Sequence, residues 1–300
     1  MAFFISVAIK IDRDMKQYTR YKSRMVRNSM KTISLLNLKG GVAKSFTSVN
    51  MAYELWRRGN RVLLWDNDKQ GNLSKAFERY EAEQTAPAAK ILSGHWQNPE
   101  ELIQATDYEG IDIITANLSL FGVSWNLMKE SGEDMTGKYR RFVKASINNQ
   151  TEDSICERYD YCIIDNPPDI GINVVNALGV TDEVIVPVKI DENSLEGLDI
   201  VAGQIEDAKA LNPSLELKGV LITIYQNTDG EAAGLEWLRQ EWDNAESKHY
   251  RQYKVLGRIR YSAKVAENSF VKKPIYEYSP CCGAAQDYKH FVTSYTGIGR

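Results

Sequence analysis

NLKGGVAKS, residues 37 to 45, sets two lysines around a glycine pair between a run of strand type and a run of helical type. Upstream, Thr32 to Leu38 is short and apolar; downstream, Val49, Ala52, Tyr53 and Trp56 recur at helical spacing until Gly59 ends the pattern. The order is strand, glycine loop, helix N-terminus. Backbone N–H groups of such a loop converge, and the first turn of the helix leaves its own unpaired, so the segment is suited to hold a phosphate.

Within it, Lys44 is placed to reach the outer phosphates of a nucleotide and the Ser45 hydroxyl to ligate a magnesium ion. Gly40, Gly41, Val42, Ala43 and Phe46 complete the expected nucleotide-contacting set. Compared with the general pattern G-x-x-x-x-G-K-[ST], Leu38 and Ala43 stand where glycines belong. The methyl at Ala43 costs about 1 kcal/mol if that residue must be left-handed.

Lys39, directly before the glycine pair, is not needed by the general loop. With it, the segment resembles the deviant Walker A ATPases of the ParA and MinD class, whose pattern is K-G-G-x-G-K-[ST]. The resemblance implies that Lys39 reaches across a homodimer interface to the partner's nucleotide, with ATP sandwiched between the two copies.

Two further motifs follow in the family's order. RVLLWDNDKQGN, Arg61 to Asn72, resembles the strand and turn D-x-D-P-Q-G-N, with Lys69 in place of the proline, which leaves the turn less rigid and adds a charge near the phosphates. By resemblance Asp68 positions the attacking water and Asp66 supports the magnesium shell; a fixed anionic acceptor suits either task. YDYCIIDNPPDIG, Tyr159 to Gly171, is similar to the family's D-[TC]-P-P segment, with Asn166 at the variable place. Asp165 ends its apolar run and is the expected Walker B aspartate, holding magnesium through water.

Weaker resemblance extends over roughly residues 30 to 292. TDEVIVPVKIDENSLEGL resembles the strand and helix after Walker B. KGVLITIYQNT resembles the strand that ends near the adenine, and Ile259 to Tyr288 the closing region, with Arg260 at a place usually prolyl.

Short apolar runs at Thr32 to Leu38, Val62 to Trp65, Ile111 to Ile114, Cys162 to Ile164, Val184 to Val188 and Val220 to Ile224 alternate with longer helical patterns. They predict an α/β fold: a doubly wound, mostly parallel sheet flanked by helices. The motifs all fall after strands, where such sheets bind nucleotides. The expected organisation is a basic extension over 1–29 and one ATPase domain over 30–300.

There is no run of 18 or more apolar residues and no signal-peptide core, which predicts a cytoplasmic protein without membrane attachment. The four cysteines include no C-x-x-C, so reduced thiols are expected and the iron–sulfur branches of the superfamily are disfavoured.

Net charge is −3, so any nucleic-acid contact must come from local clusters. Seven cations against two aspartates occupy residues 1–29; a DNA-touching arm, a solvated extension and a misplaced start site all fit that segment. A second cluster includes Lys248, Arg251, Lys254, Arg258, Arg260, Lys264, Lys272 and Lys273. The resemblance implies that this region tracks the phosphates of double-stranded DNA without sequence preference, and Arg258, Arg260, Lys264, Lys272 and Lys273 are its candidate contacts. It further implies slow hydrolysis of ATP, stimulated by a ParB-type centromere-binding protein, on a nucleoid-associated dimer that partitions a plasmid, mobile element or chromosome. The alternatives are a MinD-like ATPase positioning cargo at a membrane or protein scaffold, and a nucleotide-gated adaptor with little turnover.

Overall fold

The computed structural model describes residues 30–129, 135–145, 154–243 and 254–297. The basic segment 1–29 and the cations Lys248 and Arg251 lie outside the described residues.

Eight strands form one sheet: β1 (Lys31–Leu35), β2 (Val62–Asp66), β3 (Gln104–Ala105), β4 (Ile111–Ile114), β5 (Tyr161–Asp165), β6 (Glu183–Val188), β7 (Glu216–Tyr225) and β8 (Val255–Arg260). Their order is β3-β4-β2-β5-β1-β6-β7-β8, and only β3 runs antiparallel to its neighbour. Every residue of β2, β5 and β6 is buried, as a parallel sheet covered on both faces requires. The pleat sorts side chains by parity. Val62 and Leu64 join one apolar core with Ile33, Met51 and Phe291, while Leu63 and Trp65 join another with Tyr139 and Phe142.

All six apolar runs named above contribute strands. Two strands carry no such signal. β3 is two residues long, and β8 holds Ile259 buried between exposed Arg258 and Arg260, the alternation of an edge strand rather than a buried run.

Helix α1 (Lys44–Arg57) follows β1, and α2 (Asn72–Ala76) follows β2. Further along lie α3 (Ser119–Leu127), α4 (Lys138–Val143), α5 (Ile172–Leu178), α6 (Glu192–Ala208), α7 (Ala263–Val271) and α8 (Gly283–Thr296). The feature that places the site is register. Leu35 pairs with Asp165, and Asp165 with Asp66, so the last residues of three adjacent strands lie level at one edge. No described helix is long and apolar enough to cross a membrane.

Candidate nucleotide and metal site

The loop after β1 is pinned at both ends. Asn37 donates through Nδ2 to the Pro187 carbonyl (2.7 Å) and accepts from the Lys39 N–H (2.8 Å), tying the start of the loop to β6. Thr223 of β7 donates to the Val42 carbonyl (3.1 Å) near its end. Between them Gly41 has φ 74° and Ala43 has φ 61°, ψ 32°. Ala43 is therefore left-handed, and the strain expected of its methyl is present. It occupies the N-cap of α1 without a side-chain cap, so no side chain competes for the helix's first N–H groups.

The two lysines of the loop divide. Lys44 is buried, and its ammonium donates to the carbonyls of Asn37 (2.9 Å) and Lys39 (3.0 Å), folded across the loop itself. Burial lowers its pKa, opposed by the charges of Asp165, Asp68 and Asp169. Lys39 points outward, 35% exposed, and its ammonium meets Asp191 Oδ1 at 2.5 Å and Oδ2 at 2.6 Å.

Asp165 is buried, and neither carboxylate oxygen has a hydrogen-bond partner. Burial raises its pKa; the Ser45 hydroxyl, then Lys44, oppose that shift, with Ser48 a smaller contributor. A buried anionic acceptor left in this condition is costly in isolation and suits a hydrated cation. Ser45 and Asp165 thus fit magnesium. Among the described residues no cluster of three or more His, Cys, Asp or Glu could hold a metal by itself, whereas one carboxylate, one hydroxyl and substrate phosphates are an ordinary magnesium environment.

Asp66 lies behind this. It is fully buried; Oδ2 accepts from the Ser74 N–H (2.8 Å) and hydroxyl (2.6 Å), and Oδ1 from the Asp68 N–H (3.1 Å). Burial, then the neighbouring Asp165, raises its pKa. Asp66 braces the turn and the start of α2, and both of its oxygens are already engaged by donors of the chain. Asp68, also buried, accepts from the Gln70 N–H (2.9 Å), which sets the direction of its carboxylate. The turn closes at Gly71, φ 64°, where a Cβ would fall 2.7 Å from the Ala116 carbonyl; only glycine fits.

Several site residues carried no signal in the sequence. Asn67 and Asn166, each at a variable place of its motif, meet at 2.8 Å beneath the site. Asn173 joins them by donating to the Asn67 carbonyl (2.9 Å), and Tyr139 by donating to Asn67 Oδ1 (2.6 Å). Tyr139 lies within SGEDMTGKYRRF, residues 131 to 142, a stretch that reads as a polar break, and nothing local marks it as buried.

A cavity of about 560 Å³ opens where β7 and β8 end, lined by Tyr225, Gln226, Asn227, Arg258, Arg260, Tyr261 and Asp287. Arg260 binds Asp287 through Nε (2.7 Å) and Nη2 (2.6 Å), and the Arg258 guanidinium lies 5.4 Å from the Tyr225 ring centroid. Lys264 pairs with Glu267 at 2.7 Å and Lys272 with Glu78 at 3.4 Å. Lys272 and Lys273 edge another cavity, of about 420 Å³, that reaches Ser45 and Phe46. All five candidate DNA contacts are exposed.

Residues 30–217 match the sequence model of an AAA domain family. The sporulation initiation inhibitor protein Soj of Bacillus subtilis is 31% identical over 261 residues, covering 86% of this chain and 95% of that protein. The chromosome partitioning protein ParA of Caulobacter vibrioides is 29% identical over 266 residues, covering 88% and 93%.

The chain belongs to the ParA family of P-loop ATPases.

Its fold is also that of a Mycobacterium smegmatis cobyrinic acid a,c-diamide synthase solved with an ATP analogue and magnesium. The TM-score is 0.69 at 24% identity, with 90% of this chain and 97% of that one covered. As a ParA-family member the chain keeps the phosphate loop, both carboxylate loops and the additional lysine at one sheet edge, and departs from the family pattern at Ala43, Lys69 and Arg260.

Proposed function

We propose that this protein is a dimerising ATP switch that binds DNA without sequence preference and partitions a plasmid, mobile element or chromosome with a ParB-type partner. The observation that carries the reading is the division of the loop lysines: Lys44 buried over the phosphate cradle, Lys39 turned outward to the surface. One lysine serves the chain's own nucleotide, and the other, held on the surface by Asp191, passes to a second copy.

When ATP binds, the Lys44 ammonium exchanges the carbonyls of Asn37 and Lys39 for phosphate oxygens, and the N–H groups from Gly40 to Ser45 close around them. Ser45 and Asp165 would hold magnesium, which supplies neutralisation of phosphate charge. Asp68, aimed by the Gln70 N–H, orients water and accepts its proton. Lys39 leaves Asp191 for the partner's nucleotide. The base and ribose take the cavity at the ends of β7 and β8, next to the loop that Thr223 anchors. Lys264, Lys272 and Lys273 contact DNA phosphates, while Arg258 and Arg260, which line that cavity, serve the nucleotide instead; exposed ion pairs such as Lys264 with Glu267 are weak enough to be exchanged for phosphates.

The test is fluorescence anisotropy of an arbitrary duplex titrated with protein in ATP, ADP or no nucleotide at two salt concentrations. Binding that requires ATP and weakens with salt supports the reading. No binding in any state removes DNA and leaves a membrane or protein scaffold as cargo surface.

A further inference from the structure

The loops carrying Asp68 and Asp165 are joined at two depths. Below, Asn67, Asn166, Asn173 and Tyr139 form a buried hydrogen-bonded layer, and the Asn67 N–H donates to the Asp165 carbonyl at 2.9 Å. Above, Lys69 Nζ lies 2.8 Å from Asp169 Oδ2 and 5.5 Å from the centroid of the Phe121 ring on α3. Lys69 adjoins Asp68, and Asp169 ends the turn begun by Pro167 and Pro168.

Proline, the family's residue at position 69, fixes its own φ and stiffens the turn from within. A lysine cannot. We propose that the Lys69–Asp169 ion pair takes over that role as a clasp, holding the Asp68 loop at its working separation from the Asp165 loop. Both are positioning residues for hydrolysis and are not required to hold ATP. The inference rests on the reading of Asp68 given above.

The division between depths supports the assignment. Opening the lower layer would strand buried amides and is expensive. The clasp residues are 33% and 47% exposed, so their pair is weak and separable without disturbing the layer beneath. The adjustable element therefore sits at the surface, one residue from the group that aims the water.

The experiment measures single-turnover hydrolysis of prebound ATP, ATP affinity with a fluorescent analogue, and melting temperature. It compares the full chain with Lys69→Met, Asp169→Asn, their combination, and the reversed pair Lys69→Asp with Asp169→Lys. Each single change is expected to slow turnover about two- to fivefold, the span of an exposed ion pair. The neutral double variant is expected to be no slower than either single one, and the reversed pair to recover most of the rate, with ATP affinity within about twofold throughout. Unchanged rates, additive losses, or losses that follow ATP affinity or melting temperature would overturn the clasp. Asp68→Ala belongs in the same series: an unchanged rate there removes Asp68 as the water-positioning group, while the Lys69 and Asp169 cycle judges the clasp independently.

Discussion

Lys39 and Asp191 are locked together by two contacts, Nζ to Oδ1 at 2.5 Å and Nζ to Oδ2 at 2.6 Å, 152 residues apart in sequence. A lysine proposed to bridge to a second copy is thus held by its own chain first. Both side chains are about one-third exposed, so the hold is modest and reversible. Asp191→Asn removes the competing charge and is expected to tighten ATP-dependent self-association about two- to fivefold, leaving ATP affinity of the isolated chain unchanged. Sedimentation velocity with a slowly hydrolysed ATP analogue measures this. Weaker association would show that Asp191 helps to build the interface and does not compete with it.

Ala43 carries a left-handed backbone that glycine adopts freely. Ala43→Gly relieves about 1–2 kcal/mol of strain and gives back part of it as unfolded-chain entropy, for a net gain of about 0.5–1 kcal/mol. Denaturant unfolding should show a higher midpoint with an unchanged slope. A lower midpoint would mean that the methyl contributes packing that exceeds its strain.

Asp66 and Asp165 pair across β2 and β5, both buried and both raised in pKa, burial being the first cause for each. The folded chain therefore retains protons that the unfolded chain releases at ordinary carboxylate values. Stability from this source is present below about pH 4 and lost as pH climbs through the raised values. Asp165→Asn is expected to stabilise the nucleotide-free protein near neutral pH by about 1–3 kcal/mol, to flatten the dependence of melting temperature on pH, and to abolish turnover. If Asp165→Asn melts lower than the parent at neutral pH, the carboxylate is structurally required and the assigned cost of its burial is wrong.

The sequence made the central strands and the phosphate loop legible because their physics is local. A buried parallel strand is an apolar run, and a loop that cradles phosphate needs small residues beside a helix start, as in Asn37 to Ser45. The remainder depends on contacts distant in the chain. Asn67 finds Asn166 only because β2 and β5 are adjacent, Lys39 finds Asp191 only because β6 flanks β1, and Tyr139 reaches Asn67 from within a stretch that reads as polar. Asp66 shows the opposite limit. The motif singles it out, and only its contacts to Ser74 and Asp68 show that both its oxygens are taken up by donors of the chain itself.

Lys44 and Asp68 lie in one site and should fail differently. Lys44 is buried against the loop, and its loss removes charge from the ground state of the bound nucleotide, so Lys44→Ala is expected to weaken ATP binding at least about tenfold. Asp68 is aimed by the Gln70 N–H, and its proposed contact is to the water alone. Asp68→Ala should bind ATP normally, hydrolyse it at least about a hundredfold more slowly, and accumulate as a long-lived ATP-bound dimer. Equilibrium binding, phosphate release and gel filtration on the two variants separate these outcomes. Matching losses of affinity in both would assign Asp68 to nucleotide binding, while normal affinity in Lys44→Ala would contradict the loop assignment itself.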